Sequence, residues 1–260
     1  MATPVELAWT TFGSGRPIVI LHGLFGSKRN WRGIAQRLGE DYRVVTVDLR
    51  NHGESPHTPD MDYAAMAADI GGLLEHLELD DVDLIGHSMG GKAAMTYALS
   101  NGTRLGRLIV VDIAPKAYPN EYGAILDGLV KLDLAAVSRR ADADAALSSS
   151  IPDPVIRQFI LQNLILSGDR PAWRFNLGAL VNHIGALVGA IPVAANATFD
   201  RPTALLRGAR SDRALDSDCD AMARQFPALK AVMIPAAGHW PHSENPAVFM
   251  RELAAILAHR

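Results

Sequence analysis

The chain has 260 residues, 48% of them apolar and 20% charged, the profile of a globular protein with room for a sizeable core. A formal net charge of −3 offers no basic face for nucleic acid and no acidic tail, and a single cysteine, Cys219, excludes an internal disulfide framework or a cysteine-rich metal site. The opening MATPVELAWTTFG lacks the pattern of a secretory leader, and no run approaches the ~18 apolar residues of a membrane helix, so a soluble, cytoplasmic protein without a membrane span is expected.

PIVILHG (17–23) reads as a strand that runs into HGLFGS, a loop whose glycines at 23 and 26 allow close backbone approach. YRVVTVD (42–48) is a second strand. Asp62 is placed to cap a helix in which Tyr63, Met66, Ile70, Leu73, Leu74 and Leu77 share one face. VDLIG (82–86) is a third strand, followed by a helix from about Met89 to Leu99, and RLIVVD (107–112) is a fourth. From Ile113 to about Asp200 no convincing strand is visible. Amphipathic pieces at 120–137, 152–166 and 172–188 are separated there by Pro, Ser and Gly, and ADADAALSSS reads as a loop and a helix start. TALLRG (203–208) and KAVMIP (230–235) complete the strands, and Asn245-Pro246 opens a last helix burying Phe249, Leu253, Ile256 and Leu257.

Strands alternating with helices predict an α/β fold: a mostly parallel central sheet with helices on both faces. Residues 113–200 then form a helical insertion, and residues 1–112 and 201–260 form the core. An insertion at that point sits over the carboxyl ends of the strands, where open α/β sheets bind ligands.

GHSMG (86–90) matches G-x-S-x-G between a strand and a helix, the context in which the serine stands on a strained corner with its oxygen exposed. A serine before a helix is also an ordinary N-cap, so Ser88 needs partners before it counts as a nucleophile. Of nine histidines, His57, His76, His183 and His259 lie in surface or structural contexts, and His22 and His52 read as hydrogen-bonders in strand-end loops. His239 lies in PAAGHWPHSENP, after the last strand and at the same sheet edge as Ser88; His242, three residues on, reads as a surface residue.

Two aspartates can orient the imidazole. Asp212, in RGARSDRALD, has the chain order Ser–Asp–His expected of this arrangement and leads on that ground, while Asp112 ends the strand RLIVVD. Asp216 and Asp218 read as helix-start residues. Oxyanion donors are expected from the backbone N–H of Met89 and of Leu24. Phe25, Ile113, Trp173 and Trp240 are expected to line a substrate pocket, with Phe175 nearby.

Together HGLFGSKRNW (22–31), DLRNHGESPH (48–57), GHSMGGKAAM (86–95), VDIAPKAY (111–118) and AGHWPHSENP (237–246) resemble the α/β-hydrolase superfamily over nearly the whole chain. The combination of HGLFGS, DLRNHG and VDIAP looks most like a bacterial carboxylesterase group related to a mitochondrial α/β-hydrolase-domain protein. The resemblance implies a Ser/His/acid triad, no cofactor, a small-molecule ester substrate with short to medium acyl chains, and a helical cap. Members of that group can take the acid from the aspartate of VDIAP, which favours Asp112, so both aspartates stay in play. Serine at the elbow argues against dehalogenases and epoxide hydrolases. Thioester, lactone or C–C bond hydrolysis and a non-catalytic ligand receptor are the rival readings.

Overall fold

The computed structural model describes residues 3–168 and 170–258. Its strands are β1 (Trp9–Phe12), β2 (Pro17–Leu21), β3 (Arg43–Val47), β4 (Val82–His87), β5 (Leu105–Val111), β6 (Leu164–Ile165), β7 (Ala172–Trp173), β8 (Thr203–Gly208) and β9 (Leu229–Ile234). The α-helices are α1 (Arg32–Leu38), α2 (Tyr63–His76), α3 (Met89–Asn101), α4 (Gly123–Lys131), α5 (Arg140–Leu147), α6 (Pro154–Leu161), α7 (Leu177–Val188), α8 (Asp216–Met222), α9 (Pro241–Glu244) and α10 (Pro246–Ala258).

One seven-stranded sheet runs in the order β1-β3-β2-β4-β5-β8-β9. Only β1 is antiparallel, pairing with β3; the other pairings of this sheet are parallel. Successive side chains of a strand face opposite ways, and the core divides accordingly. Val19, Leu21, Leu84 and Val110 pack on α2, α3 and the segment between β5 and β8. Ile18, Ile20, Ile85 and Ile109 pack on α1 and α10. Central strands buried on both faces must be apolar throughout, which is why VDLIG and RLIVV read as continuous runs.

The six expected strands form within two residues of their sequence limits. Asp62 caps α2 by accepting the Ala65 N–H at 2.7 Å, and α10 buries Phe249, Leu253 and Leu257. Four short elements escape the sequence: β1, four partly exposed residues, the seven-residue α1, the four-residue α9, and the ladder of β6 on β7. That ladder, pairing Leu164 with Trp173, corrects the expectation of a strand-free stretch from Ile113 to Asp200. ADADAAL lies wholly within α5 rather than in a loop.

The register brings the carboxyl ends of the inner strands level. Leu21 pairs with Gly86, His87 with Val111, Val111 with Leu206 and Gly208 with Ile234. The loops that follow β2, β4, β5, β8 and β9 therefore emerge at one edge. Among the described residues, no helix is long and apolar enough to cross a membrane.

Candidate active site

Ser88 sits between β4 and α3 with φ 51° and ψ −119°. A non-glycine residue at such positive φ costs about 1–3 kcal/mol and persists only where its surroundings enforce it. Here they do. A β-carbon on Gly86 would lie 2.3 Å from the Gly90 carbonyl oxygen, and one on Gly90 would lie 2.5 Å from that of His22. Only glycine at both positions lets the turn close this tightly against β2. The serine occupies the N-cap position, yet its side chain makes no cap hydrogen bond. The hydroxyl turns to His239 instead, 3.0 Å from Nε2.

The other imidazole nitrogen, Nδ1, lies 2.8 Å from Asp112 Oδ2. Asp112 is fully buried, and its carboxylate accepts the Gly208 N–H at 2.8 Å and the Ser211 hydroxyl. An ionised carboxylate only accepts hydrogen bonds, so Nδ1 carries the proton and Nε2 offers its lone pair to the Ser88 hydroxyl. Phe25, Ser88, Asp112 and Ala236 all have φ between 51° and 58°, placing a strained residue on each of the loops after β2, β4, β5 and β9.

Asp212, the leading candidate by chain order, stands at the cavity rim and makes no hydrogen bond to His239. Its side chain is 80% exposed and pairs with Arg213 at 3.3 Å. The residue next to it reaches inward: Ser211 supports Asp112, so the loop after β8 serves the carboxylate without providing it. Asp216 and Asp218 begin α8 as expected. His242 is a correction of a different kind. It is buried rather than on the surface, stacked on Trp31 at 4.3 Å between ring centroids, and burial together with His239 pushes its pKa down to about 3.

Two cavities meet at Ser88. The larger, about 340 Å³, is lined by Leu24, Phe25 and Trp240 from the sheet-edge loops and by Tyr122, Ile125, Ile156, Phe159 and Ile160 from the segment between β5 and β8. The smaller, about 30 Å³, is lined by Leu24, Ser88, Met89, Lys92 and His239, with Tyr63, Tyr118 and Tyr122 around them. Leu24 and Met89, the expected oxyanion donors, thus border the space in front of Ser88. Of the expected pocket residues, Phe25 and Trp240 line the larger cavity, whereas Ile113 and Trp173 line neither. Ile113 packs toward Gly91 inside the core. Trp173 stacks on Phe175 at 5.2 Å, and Phe175 in turn meets Phe25 edge-on at 5.3 Å, so the indole backs the pocket wall from behind.

The model of the alpha/beta hydrolase family matches residues 18–252, nearly the whole chain. The chain belongs to the alpha/beta hydrolase family. It is 41% identical over 251 residues to the sn-1-specific diacylglycerol lipase ABHD11 of Mus musculus, a match that covers 93% of this chain and 80% of the relative. It is 34% identical to Esterase YbfF of Escherichia coli, covering 93% and 92% of the two chains. Among solved structures, a marine microorganism esterase superposes with a TM-score of 0.93 at 35% identity, over 97% of this chain and 99% of that one.

In this family member three groups near Ser88 escape a motif reading. His87, the residue before the serine, is buried, and its Nε2–H donates to the His239 carbonyl at 2.8 Å. Burial, with His242 and His239 alongside, holds its pKa well below the ordinary imidazole value, so it stays neutral while anchoring the loop that carries His239. Ser211 was overshadowed by the carboxylate after it. Lys92, within the Gly-Gly-Lys-Ala-Ala stretch of α3, is a lysine among buried small residues, and that mismatch was the available signal. Among the described residues no group of three or more His, Cys, Asp or Glu is placed to hold a metal ion.

Proposed function

We propose that this protein is a serine esterase that hydrolyses small carboxylic esters through an acyl-enzyme on Ser88. The observation that carries the reading is the continuous hydrogen-bonded chain from Ser88 Oγ through His239 to Asp112. Ser88 Oγ attacks the ester carbonyl while His239 Nε2 takes its proton. Asp112 holds the tautomer and stabilises the imidazolium. The Leu24 and Met89 N–H groups receive the negative charge on the carbonyl oxygen, a contribution typically worth about 100- to 1,000-fold in rate per donor. The imidazolium then protonates the departing alcohol, and water, deprotonated by His239, releases the acid and restores Ser88. The names of the relatives, a lipase and two esterases, point the same way. No step requires a cofactor.

Residues 113–200 act as a cap over a core of residues 1–112 and 201–260, because α4 and α6 supply one wall of the larger cavity. A largely apolar space of about 340 Å³ suits short to medium acyl chains. Hydrolysis of p-nitrophenyl butyrate by the wild type and its loss in Ser88→Ala test the reading, with fluorophosphonate labelling of Ser88 as a direct probe. Wild-type turnover in Ser88→Ala would refute it, and a steep rise toward long chains would refute the chain-length assignment.

A further inference from the structure

Lys92 stands one helical turn beyond Ser88 on α3 and is 2% exposed. Its Nζ donates to the Gly189 carbonyl at 2.6 Å and, at 3.4 Å, to that of Val188, both at the carboxyl end of α7. The ammonium also lies over the Tyr118 ring at 4.7 Å and the Tyr63 ring at 5.5 Å. Among the described residues no carboxylate is within ion-pair reach of it. The acidic groups nearby are already matched, Glu121 with Arg213 and Asp218 with Lys116. A buried cation is ordinarily paired with an anion. The α7 carbonyls and the negative ring faces offset part of the burial and tie α7 to α3. They take two of the three N–H donors and supply no countercharge. Burial alone lowers this lysine to about 8, which leaves it mostly protonated at neutral pH.

What distinguishes Lys92 from a structural latch is the space it faces. It lines the cavity of about 30 Å³ that Ser88, Met89 and His239 also line. One water needs roughly 10–15 Å³ by this measure, so the space takes a group of a few heavy atoms. Tyr63, Tyr118 and Tyr122 line it together with Leu24, Leu187, Val188 and Arg213, so it sets two cations and three phenols among apolar side chains.

We propose that this small cavity is a subsite for a carboxylate on the substrate, placed a few bonds from the scissile carbonyl and held by the Lys92 ammonium. The preferred substrates are then esters that bear a free carboxylate, with the anion in the small cavity and the apolar part in the larger one. The proposal rests on the esterase reading and extends it to a substrate class. A charge-assisted hydrogen bond in a water-poor site is worth about tenfold or more in affinity.

The test compares kcat/KM, by pH-stat, for two carboxylate-bearing esters with their neutral isosteres: monoethyl succinate against ethyl 4-methylpentanoate, and acetoxyacetate against isobutyl acetate. The pairs place the carboxylate on the acyl and on the alcohol side respectively. The wild type is expected to prefer one charged ester over its isostere by about tenfold, and Lys92→Met to lower that ratio by about tenfold. Lys92→Gln, which keeps a donor for the Gly189 carbonyl, serves if Met compromises folding. A preference for the neutral ester in both pairs, or a ratio unmoved by removing the charge, would overturn the subsite. Failure of the esterase reading is separate: the wild type would then turn over none of these esters, p-nitrophenyl butyrate included.

Discussion

Replacing Asp112 by Asn exchanges one carboxylate oxygen for an amide nitrogen in a buried pocket with three donors pointing in: the Gly208 N–H, the Ser211 hydroxyl and His239 Nδ1–H. If the amide oxygen faces His239, its NH2 meets the Gly208 N–H donor to donor. That leaves a buried backbone donor unsatisfied, at a cost of about 1–3 kcal/mol. The favoured orientation keeps the oxygen on Gly208 and turns the NH2 to Nδ1, which then has to be the unprotonated nitrogen. The proton moves to Nε2, and His239 can no longer accept from Ser88. An orienter replaced in this way lowers kcat by about 10⁴-fold, or ~5.5 kcal/mol of transition-state stabilisation. Asp212→Asn alters an exposed side chain paired at the surface with Arg213, and its effect stays within about twofold. The assay is kcat on p-nitrophenyl butyrate for both variants, with thermal melts to show that each is folded. A folded Asp112→Asn enzyme within tenfold of wild type, or a collapse in Asp212→Asn, would refute the assignment of the acid.

Acid stability follows from the buried histidines. Burial lowers His22, His52, His87 and His242 from the ordinary 6.5, His52 and His242 to about 3. Above pH 6.5 they are neutral in both states; below it the unfolded chain binds protons that the folded one refuses, so stability falls with acidification. Each contributes up to about 1.4 kcal/mol per pH unit. Urea midpoints should therefore drop steeply from pH 6.5 to 4.5, less so in His242→Gln, and a flat profile would contradict this. Gly86→Ala drives a β-carbon to 2.3 Å from the Gly90 carbonyl oxygen. Overpacking of this kind costs at least about 1–3 kcal/mol, and a fall in Tm of several degrees by calorimetry is the expected result. Phe159→Ala opens the larger cavity next to Trp240. The ratio of kcat/KM for p-nitrophenyl octanoate to butyrate should rise severalfold.

Ser88 and His239 were legible because each stands in a glycine-flanked turn between a strand and a helix, where only a few purposes place a polar residue. The strands were legible because a sheet buried on both faces demands unbroken apolar runs. Which aspartate meets His239 was not, since Asp112 and Asp212 both follow strands. What separates them is the pairing of Val111 with Leu206, which carries Asp112 to the Gly208 N–H and leaves Asp212 in solvent. The four apolar residues expected at the pocket divide between cavity lining and core for a related reason. Phe25 and Trp240 adjoin motif residues and moved with them, whereas Ile113 and Trp173 are apolar enough to satisfy a core or a pocket, and tertiary packing put them in the core. Lys92 owes its significance to α7 and to three tyrosines distant in sequence, none of which a local pattern contains.

Because the carboxylate bonded to His239 comes from the end of β5, the loop after β8 is released from that contact. Arg210, Ser211, Asp212 and Arg213 all line the larger cavity, and of these only Ser211 touches Asp112. Of the remaining side chains, Arg210 bonds the Ala236 carbonyl and Glu244 beside the His239 loop and Arg213 pairs with Glu121, which leaves Asp212 as the rim residue whose charge can be rewritten without disturbing the Ser88–His239–Asp112 chain. A protein built this way can change the charge at the mouth of its cavity by exchanging one exposed residue, and a library at position 212 is the economical place to look for new substrates.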